Sequence, residues 1–488
     1  MATWLTGAPG AGVPAPPAER VLSRPGAARR WLSAALDYLP RWIEHQMRLT
    51  GQPGCALAVV HKGKCVLDLA FGHADQPRAV ALTPRHRFRV ASHSKTFTAA
   101  GVLKLRERGA WRLDDPVGRY VPGLHPEVAA VTLAQLLSHS AGLARDGADA
   151  GQWADRRPFL SADELRADLA GGPVITANTR FKYSNHGFAL AGLAIEAVTG
   201  EAYAAWIARE IVAASGLEEA TPDGPPARGV PFAHGHSTLV PLGHRVAIPA
   251  RDPTHAMAAA TGFISTAADL ARFFASLAPE AKTSVLSPAS RREMAHRQWR
   301  DPHSSLQRWY GLGTISGTLG DWDWQGHSGS FPGTLTRTVC VPAQDLAISM
   351  LTNAADGLSQ PWLDGVLHVL QAYARHGAPS RRTAAWQGRW WNRWAAFDLL
   401  PMDDRVLVAT PALANPVLDA TEIDVGERDR GGVAHGRIAL AGGFGSHGEP
   451  VRLVPGAAGH GGEFWLAGSL LLPEAQMVKE MREKYGRR

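Results

Sequence analysis

The order of apolar and polar positions along the chain predicts an architecture that mixes helices and strands. Leu32, Leu36, Leu39 and Ile43 recur at steps of four, three and four, which predicts an amphipathic helix over 27–50, with a kink or break at Pro40. CALAVV and CVLDLAFG then flank His61-Lys62-Gly63-Lys64, the pattern of a hairpin over 55–72. FRVASHSKTFTAAGVLKLRERG begins extended and turns helical at about Ser92. Helical spacing returns near 132–138, 162–170, 187–199 and 266–276. Strand-like runs follow residue 309 (WYGLGTIS, DWDWQGHSG, TLTRTVCVP, LAISMLTNA), and a helix at about 359–376 closes the unit. This order predicts an α+β fold: an antiparallel sheet built from both chain ends, flanked by helices, with a helical lobe between.

The pattern changes after residue 378. APSRRTAAWQGRWWNRW is followed by short strand-like pieces (RVLVA, RIALA, VRLVP, EFWLAGSLLL), which predict a small all-β unit, barrel or sandwich, over 379–488. Most tryptophans of the 386–394 cluster are expected to pack rather than to form a binding platform. The Ala/Pro/Gly-rich residues 1–26 read as a poorly ordered arm, leaving 27–378 as the main domain. A chain of 488 residues fits this division into more than one core.

Composition narrows the function classes. The net charge is +7 and the cations are dispersed, so nothing marks a nucleic-acid partner. No run of about 18 apolar residues predicts a membrane span. The start MATWLTGAPGAGVPAPPAER lacks the basic and apolar regions of a secretory signal, which points to the cytoplasm. Three cysteines cannot build a disulfide framework. His234 and His236 have no acidic or thiol companions at zinc spacing, and no phosphate-binding loop is present, so neither a metal nor another cofactor is expected.

Three short motifs carry chemistry. In Ser92-His93-Ser94-Lys95, helical spacing sets a hydroxyl beside an amine one turn on; among the 8 lysines only Lys95 has a serine at this offset. A serine needs a base in contact, and a lysine is a base only when burial or a nearby cation holds it neutral. The helix start would also offer backbone N–H groups to an oxyanion. In Tyr183-Ser184-Asn185, a phenol beside an ammonium could shuttle a proton, and Asn185 could orient Lys95 or a substrate amide. In His327-Ser328-Gly329-Ser330, Gly329 would let substrate approach the strand, the Ser330 N–H would be a second oxyanion donor, and His327 could bond Tyr183 or a substrate carboxylate. His93 would pack or touch substrate, and Asp114 and Asp115 would serve a turn.

The order Ser-x-x-Lys, Tyr-x-Asn, His-x-Gly resembles the serine β-lactamase and penicillin-binding-protein family, in its class C-like branch of D-aminopeptidases, D,D-peptidases and esterases. TLAQLLSHSAGL, FKYSNHGFALAGLAIEAVTG, ATGFISTAADLARF and GHSGSFPG carry the same likeness across about 54–353. The resemblance implies Ser92 as acyl-accepting nucleophile, Lys95 as its activating partner, Tyr183 as general acid/base, Asn185 as orienting group, and His327, Gly329 and Ser330 on the oxyanion strand. His327 stands where class C β-lactamases carry lysine, which disfavours efficient β-lactam hydrolysis. Trp386-Gln387-Gly388-Arg389-Trp390, Trp394 and VLVATP resemble the lipocalin-like barrel appended to some of these peptidases, where it restricts substrate access. The implied activity is serine hydrolysis or acyl transfer on small amides, peptides of possible D configuration, or esters. The alternatives are a peptide-cyclising thioesterase or transacylase, a carboxylesterase, and an inactive binding scaffold.

Overall fold

The computed structural model describes residues 20–21, 30–240, 242–303, 307–442, 445–456 and 462–486. The expected disordered arm falls largely outside these; its described pair Arg20–Val21 is a short strand against Leu69 and Asp68. Two compact units emerge: Met1–Ser23 with Gly51–Leu363, and Arg24–Thr50 with Asp364–Arg488. The change of pattern after 378 suggested the boundary; the units instead part within the closing helix Ser359–His376, and the helix Arg30–Thr50 groups with the C-terminal sheet.

The first unit has the α+β architecture expected. Its sheet runs Arg20–Val21, Lys64–Asp75, Gly54–His61, Leu346–Thr352, Thr334–Val341, Trp322–Phe331, Ile315–Leu319, Arg308–Tyr310, Trp299–Arg300. Each neighbouring pair is antiparallel, so strands from both ends of the unit share one sheet. The strands Gly54–His61 and Leu346–Thr352 are buried along their whole length, which explains their unbroken apolar runs. The helix Asn185–Thr199 is apolar on nearly every side and lies in the core. Ser184 caps its start by accepting the Gly187 N–H, and Gly200, at φ +71°, ends it. The helix Ser94–Glu107 is buried through Leu103, with Phe97 stacked between Phe263 and Phe273.

In the second unit, eight strands from Gly388–Trp391 to Ser469–Leu471 form one antiparallel sheet. Reciprocal backbone hydrogen bonds between Trp391 and Leu472 join its ends, so the sheet is nearly closed into a barrel. Alternate residues fill the interior: Leu399, Val406, Val408, Ile423, Val451 and Phe464. Trp386 is buried there and Trp390 packs beside Phe464, whereas Trp394 is 88% exposed. The helix Arg30–Thr50 runs unbroken through Pro40, so of the expected kink or break the break does not occur. One lost backbone hydrogen bond is outweighed by its buried face of Leu32, Leu36, Leu39 and Ile43, and by bonds from Tyr38 to Asp398 and Gln46 to the Pro411 carbonyl.

Candidate active site

The chain turns helical at about Ser92, as expected: Ser92 occupies the 3₁₀ turn Ala91–His93, which leads into the α-helix from Ser94. Ala91 takes φ +45°, a left-handed conformation that costs an alanine about 1–2 kcal/mol. Neighbours hold this turn in place. The Ser94 hydroxyl donates to the Ala91 carbonyl at 2.6 Å and accepts the Phe263 N–H at 2.9 Å. Buried His93 bridges the Val90 carbonyl (2.9 Å) and Thr338 Oγ1 (3.0 Å), so it packs instead of facing substrate. The strand carrying Gly329 passes so close that a Cβ there would lie 2.1 Å from the Val90 carbonyl oxygen. Glycine at 329 is thus required by the approach of the sheet to the nucleophile turn.

Lys95 is fully buried. Its Nζ meets Ser92 Oγ at 3.1 Å, Asn185 Oδ1 at 2.7 Å and the Ala260 carbonyl at 2.8 Å. Burial drives this amine well below the ordinary lysine range, with Arg145 adding to the fall and Asp146 opposing it. Asn185 Oδ1 and the Ala260 carbonyl can only accept. A neutral amine therefore spends its two N–H bonds on them and turns its lone pair to the Ser92 hydroxyl. Asn185 is fixed in that orientation because its Nδ2 donates to Asp146 Oδ1 at 2.6 Å.

The Tyr183 hydroxyl donates to Ser92 Oγ at 2.9 Å. It contacts serine, not the lysine ammonium anticipated from the sequence; Lys95 Nζ lies 4.9 Å from the centre of the phenol ring. Burial pushes the phenol up to about 12, so it rests protonated. Tyr183 O–H, Ser92 O–H and the Lys95 lone pair thus form a continuous relay. Tyr183, Ser92, Lys95 and Asn185, from two motifs spread over 94 positions in the chain, are linked in series by hydrogen bonds.

His327 is brought to the same cavity, but its Nε2 pairs with the Tyr310 hydroxyl at 3.0 Å and not with the expected Tyr183. Burial, with His93 and Lys95 nearby, holds the imidazole well below the ordinary histidine range, so it is neutral. Gly329 and Ser330 line the cavity beside Ser92; Ser330 is exposed. That cavity has a volume of about 500 Å³, with Phe181, Trp309 and Tyr310 as aromatic wall and Arg145 and Arg308 as its cations. Away from it, Asp115 holds a turn through Arg112, Arg119 and Tyr120, and both ring nitrogens of His236 are taken by Gln76 and Asn353.

Sequence reasoning missed Asp146, which orients Asn185, Tyr310, which engages His327, and His139, whose ring lies 4.1 Å from that of Tyr183. Only His139 had a signal, the SHSAGL segment, and nothing in that segment assigns the histidine a partner.

Comparison with known proteins bears on the family and the fold. A profile described as Beta-lactamase matches residues 39–369. Penicillin-binding protein 4 of Amycolatopsis lactamdurans is 31% identical over 320 residues, covering 62% of this chain and 81% of that protein. Protein flp of Staphylococcus aureus is 29% identical over 169 residues, or 34% of each chain, so the match spans about a third of those relatives' length. Among solved structures, the octameric penicillin-binding protein homologue from Pyrococcus abyssi superposes with TM-score 0.62 at 21% identity, covering 90% of this chain and 100% of that one. The D-amino acid amidase from Ochrobactrum anthropi SV3, complexed with L-phenylalanine amide, gives TM-score 0.60 at 22% identity over 71% of this chain and 98% of that one. No single helix among the described residues is long and apolar enough to cross a membrane.

Proposed function

Because this chain belongs to the beta-lactamase family, whose fold supports serine hydrolysis, we propose that it works through an acyl-enzyme on Ser92. The observation that carries this reading is the line of contacts from the Tyr183 phenol through Ser92 Oγ to the buried Lys95 amine, which burial drives well below the ordinary lysine range. Ser92 Oγ attacks the substrate carbonyl carbon while its proton passes to Lys95 Nζ. The carbonyl oxygen becomes an oxyanion held by the N–H groups of Ser92 and Ser330. As the tetrahedral intermediate collapses, the leaving amine or alkoxide takes the Tyr183 proton, and the Lys95 proton restores the phenol. Water or a second amine then attacks the acyl-enzyme along the same route in reverse. Asn185 keeps Lys95 aimed, and His327 braces Tyr310 in the cavity wall.

The preferred substrates are small amides or peptides of D configuration, with esters as surrogates. The likeness in fold to a D-amino acid amidase and the family membership shared with penicillin-binding proteins support that class. A neutral His327 supplies no fixed cation on the oxyanion strand, which argues against β-lactams as the main substrate. Transfer to an amine is the second reading, favoured by the aromatic wall of Phe181, Trp309 and Tyr310, which shields an acyl-enzyme from water.

The test is turnover of p-nitrophenyl esters, D- and L-aminoacyl amides and a chromogenic cephalosporin, with product mass separating water from amine acceptors. D-aminoacyl amides should be cleaved in preference to their L forms and to the cephalosporin. Ser92→Ala should abolish turnover and fluorophosphonate labelling; activity retained in that variant would move the nucleophile elsewhere.

A further inference from the structure

His139 is in an unusual state for a histidine. Its backbone is left-handed, at φ +59°. Its side chain is buried, and burial together with Lys95, His327 and Arg145 keeps the ring neutral. Its backbone carbonyl accepts the Lys182 N–H at 2.7 Å, and its ring Nδ1 accepts the Ser184 N–H at 3.1 Å. One residue thereby grips the chain on both sides of Tyr183. Its ring also lies against the phenol, with centroids 4.1 Å apart, and 4.5 Å from the ring of Tyr310. Because Nδ1 accepts, the neutral ring carries its proton on Nε2, and that atom has no hydrogen-bond partner among the described residues. A buried polar atom left unpaired and a strained backbone are both costs that packing alone would remove with an apolar residue or glycine.

We infer that His139 is the positioning residue for Tyr183: its carbonyl and Nδ1 clamp residues 182 and 184, and its ring fixes the phenol so that the hydroxyl reaches Ser92 Oγ. The inference rests on Tyr183 acting as the acid for the leaving group. His139 itself touches neither Ser92 nor the reacting carbonyl; it acts through the angle and depth of the phenol. A displaced phenol still leaves Ser92 beside Lys95, so attack on an activated ester survives. What is lost is proton delivery to a poor leaving group.

This separates His139 from an ordinary core residue. A methyl ester needs its alkoxide protonated, whereas a p-nitrophenyl ester of the same acid does not. In His139→Gly, which suits the left-handed backbone and lacks the acceptor, kcat/KM for the methyl ester should fall about tenfold or more beyond any fall for the p-nitrophenyl ester. Fluorophosphonate titration of Ser92 counts the folded sites. His139→Asn, whose Oδ1 can take the place of Nδ1 and which tolerates this backbone, should recover most of the ratio. Added to Tyr183→Phe, His139→Gly should cost the methyl ester no more than about a further twofold, because the group it positions is already gone. Should His139→Gly fail the titration, His139→Phe, a ring without the acceptor, carries the same expectations. An equal fall for both esters, or a full additional loss on the Tyr183→Phe background, would overturn the inference. If Tyr183→Phe itself shows no dependence on the leaving group, the acid assignment fails instead, which is a different outcome.

Discussion

Two cationic side chains, one buried in the first unit and one largely shielded in the second, show opposite uses of the same physics. Lys95 is fully buried and meets only neutral acceptors: a serine hydroxyl, an asparagine oxygen and a backbone carbonyl. Arg389 lies in the second unit, its side chain 15% exposed, and forks onto both oxygens of Asp398 at 2.7 and 2.8 Å. Burial pulls the lysine amine well below its ordinary range, and among the described residues no carboxylate in contact returns it. The Asp398 carboxylate more than offsets the same penalty at Arg389, whose guanidinium is held above its ordinary range. A buried cation with its counter-ion is a structural fixture; one without becomes a neutral base. The Asp398 site is complete, since Tyr38 also donates to it at 2.9 Å. The Lys95 site is left open on the one side that faces Ser92.

The contrast can be broken most severely at Lys95. Lys95→Gln keeps a polar chain of similar reach and removes the base, so kcat/KM for esters should drop near the upper end of the roughly 10²–10⁴-fold that acid–base help supplies. A drop under tenfold would mean that Ser92 is activated by another group. The counterpart, Arg389→Met, should leave kcat of the folded enzyme unchanged yet cost about 3–5 kcal/mol of stability, because it strands the Asp398 carboxylate. Urea unfolding measures this, and a loss under 1 kcal/mol would show that Asp398 is hydrated. The pH profile sharpens the same point. Activity should fall in acid as Lys95 takes a proton, but it should hold through pH 10, because Tyr183 must be protonated and sits at about 12. An alkaline limb near pH 8 would exclude the phenol as the acid.

What could be read from the sequence follows the range of each interaction. Ser92 with Lys95 and Tyr183 with Asn185 are local pairs set by helix and cap spacing, so the motifs exposed them. Asp146 reaches Asn185, and Tyr310 reaches His327, only because distant segments pack together, and neither sits in a pattern that names its partner. The strands of the large sheet were legible from their apolar runs. Pro40 was legible as a residue but not in its consequence, since the buried face of Arg30–Thr50 keeps the helix continuous. The helical start at about Ser92 was legible, but its opening as a 3₁₀ turn, Ala91–His93, was not. The left-handed Ala91 is imposed by the sheet passing at Gly329, a tertiary constraint with no local signature.

A third buried titratable group tests whether the Lys95 principle is general, with a smaller effect. Among the described residues His93 has no carboxylate partner either, and burial lowers it from 6.5 to about 4. Between these values the unfolded chain binds a proton that the folded chain refuses. Its contribution to stability is therefore complete above about pH 6.5 and is lost as the pH falls toward 4. Lowering from 6.5 to about 4 corresponds to a loss on the order of 3 kcal/mol. His139 and His327 shift in the same direction and steepen the decline. The urea midpoint should thus fall from pH 7 to pH 4.5 in the parent protein. In His93→Gln, which spans part of the gap between Val90 and Thr338 without titrating, it should start lower and fall less. Equal slopes for the two proteins would show that protonated His93 is tolerated in place, and that burial without a counter-ion does not by itself set the charge of a side chain in this core.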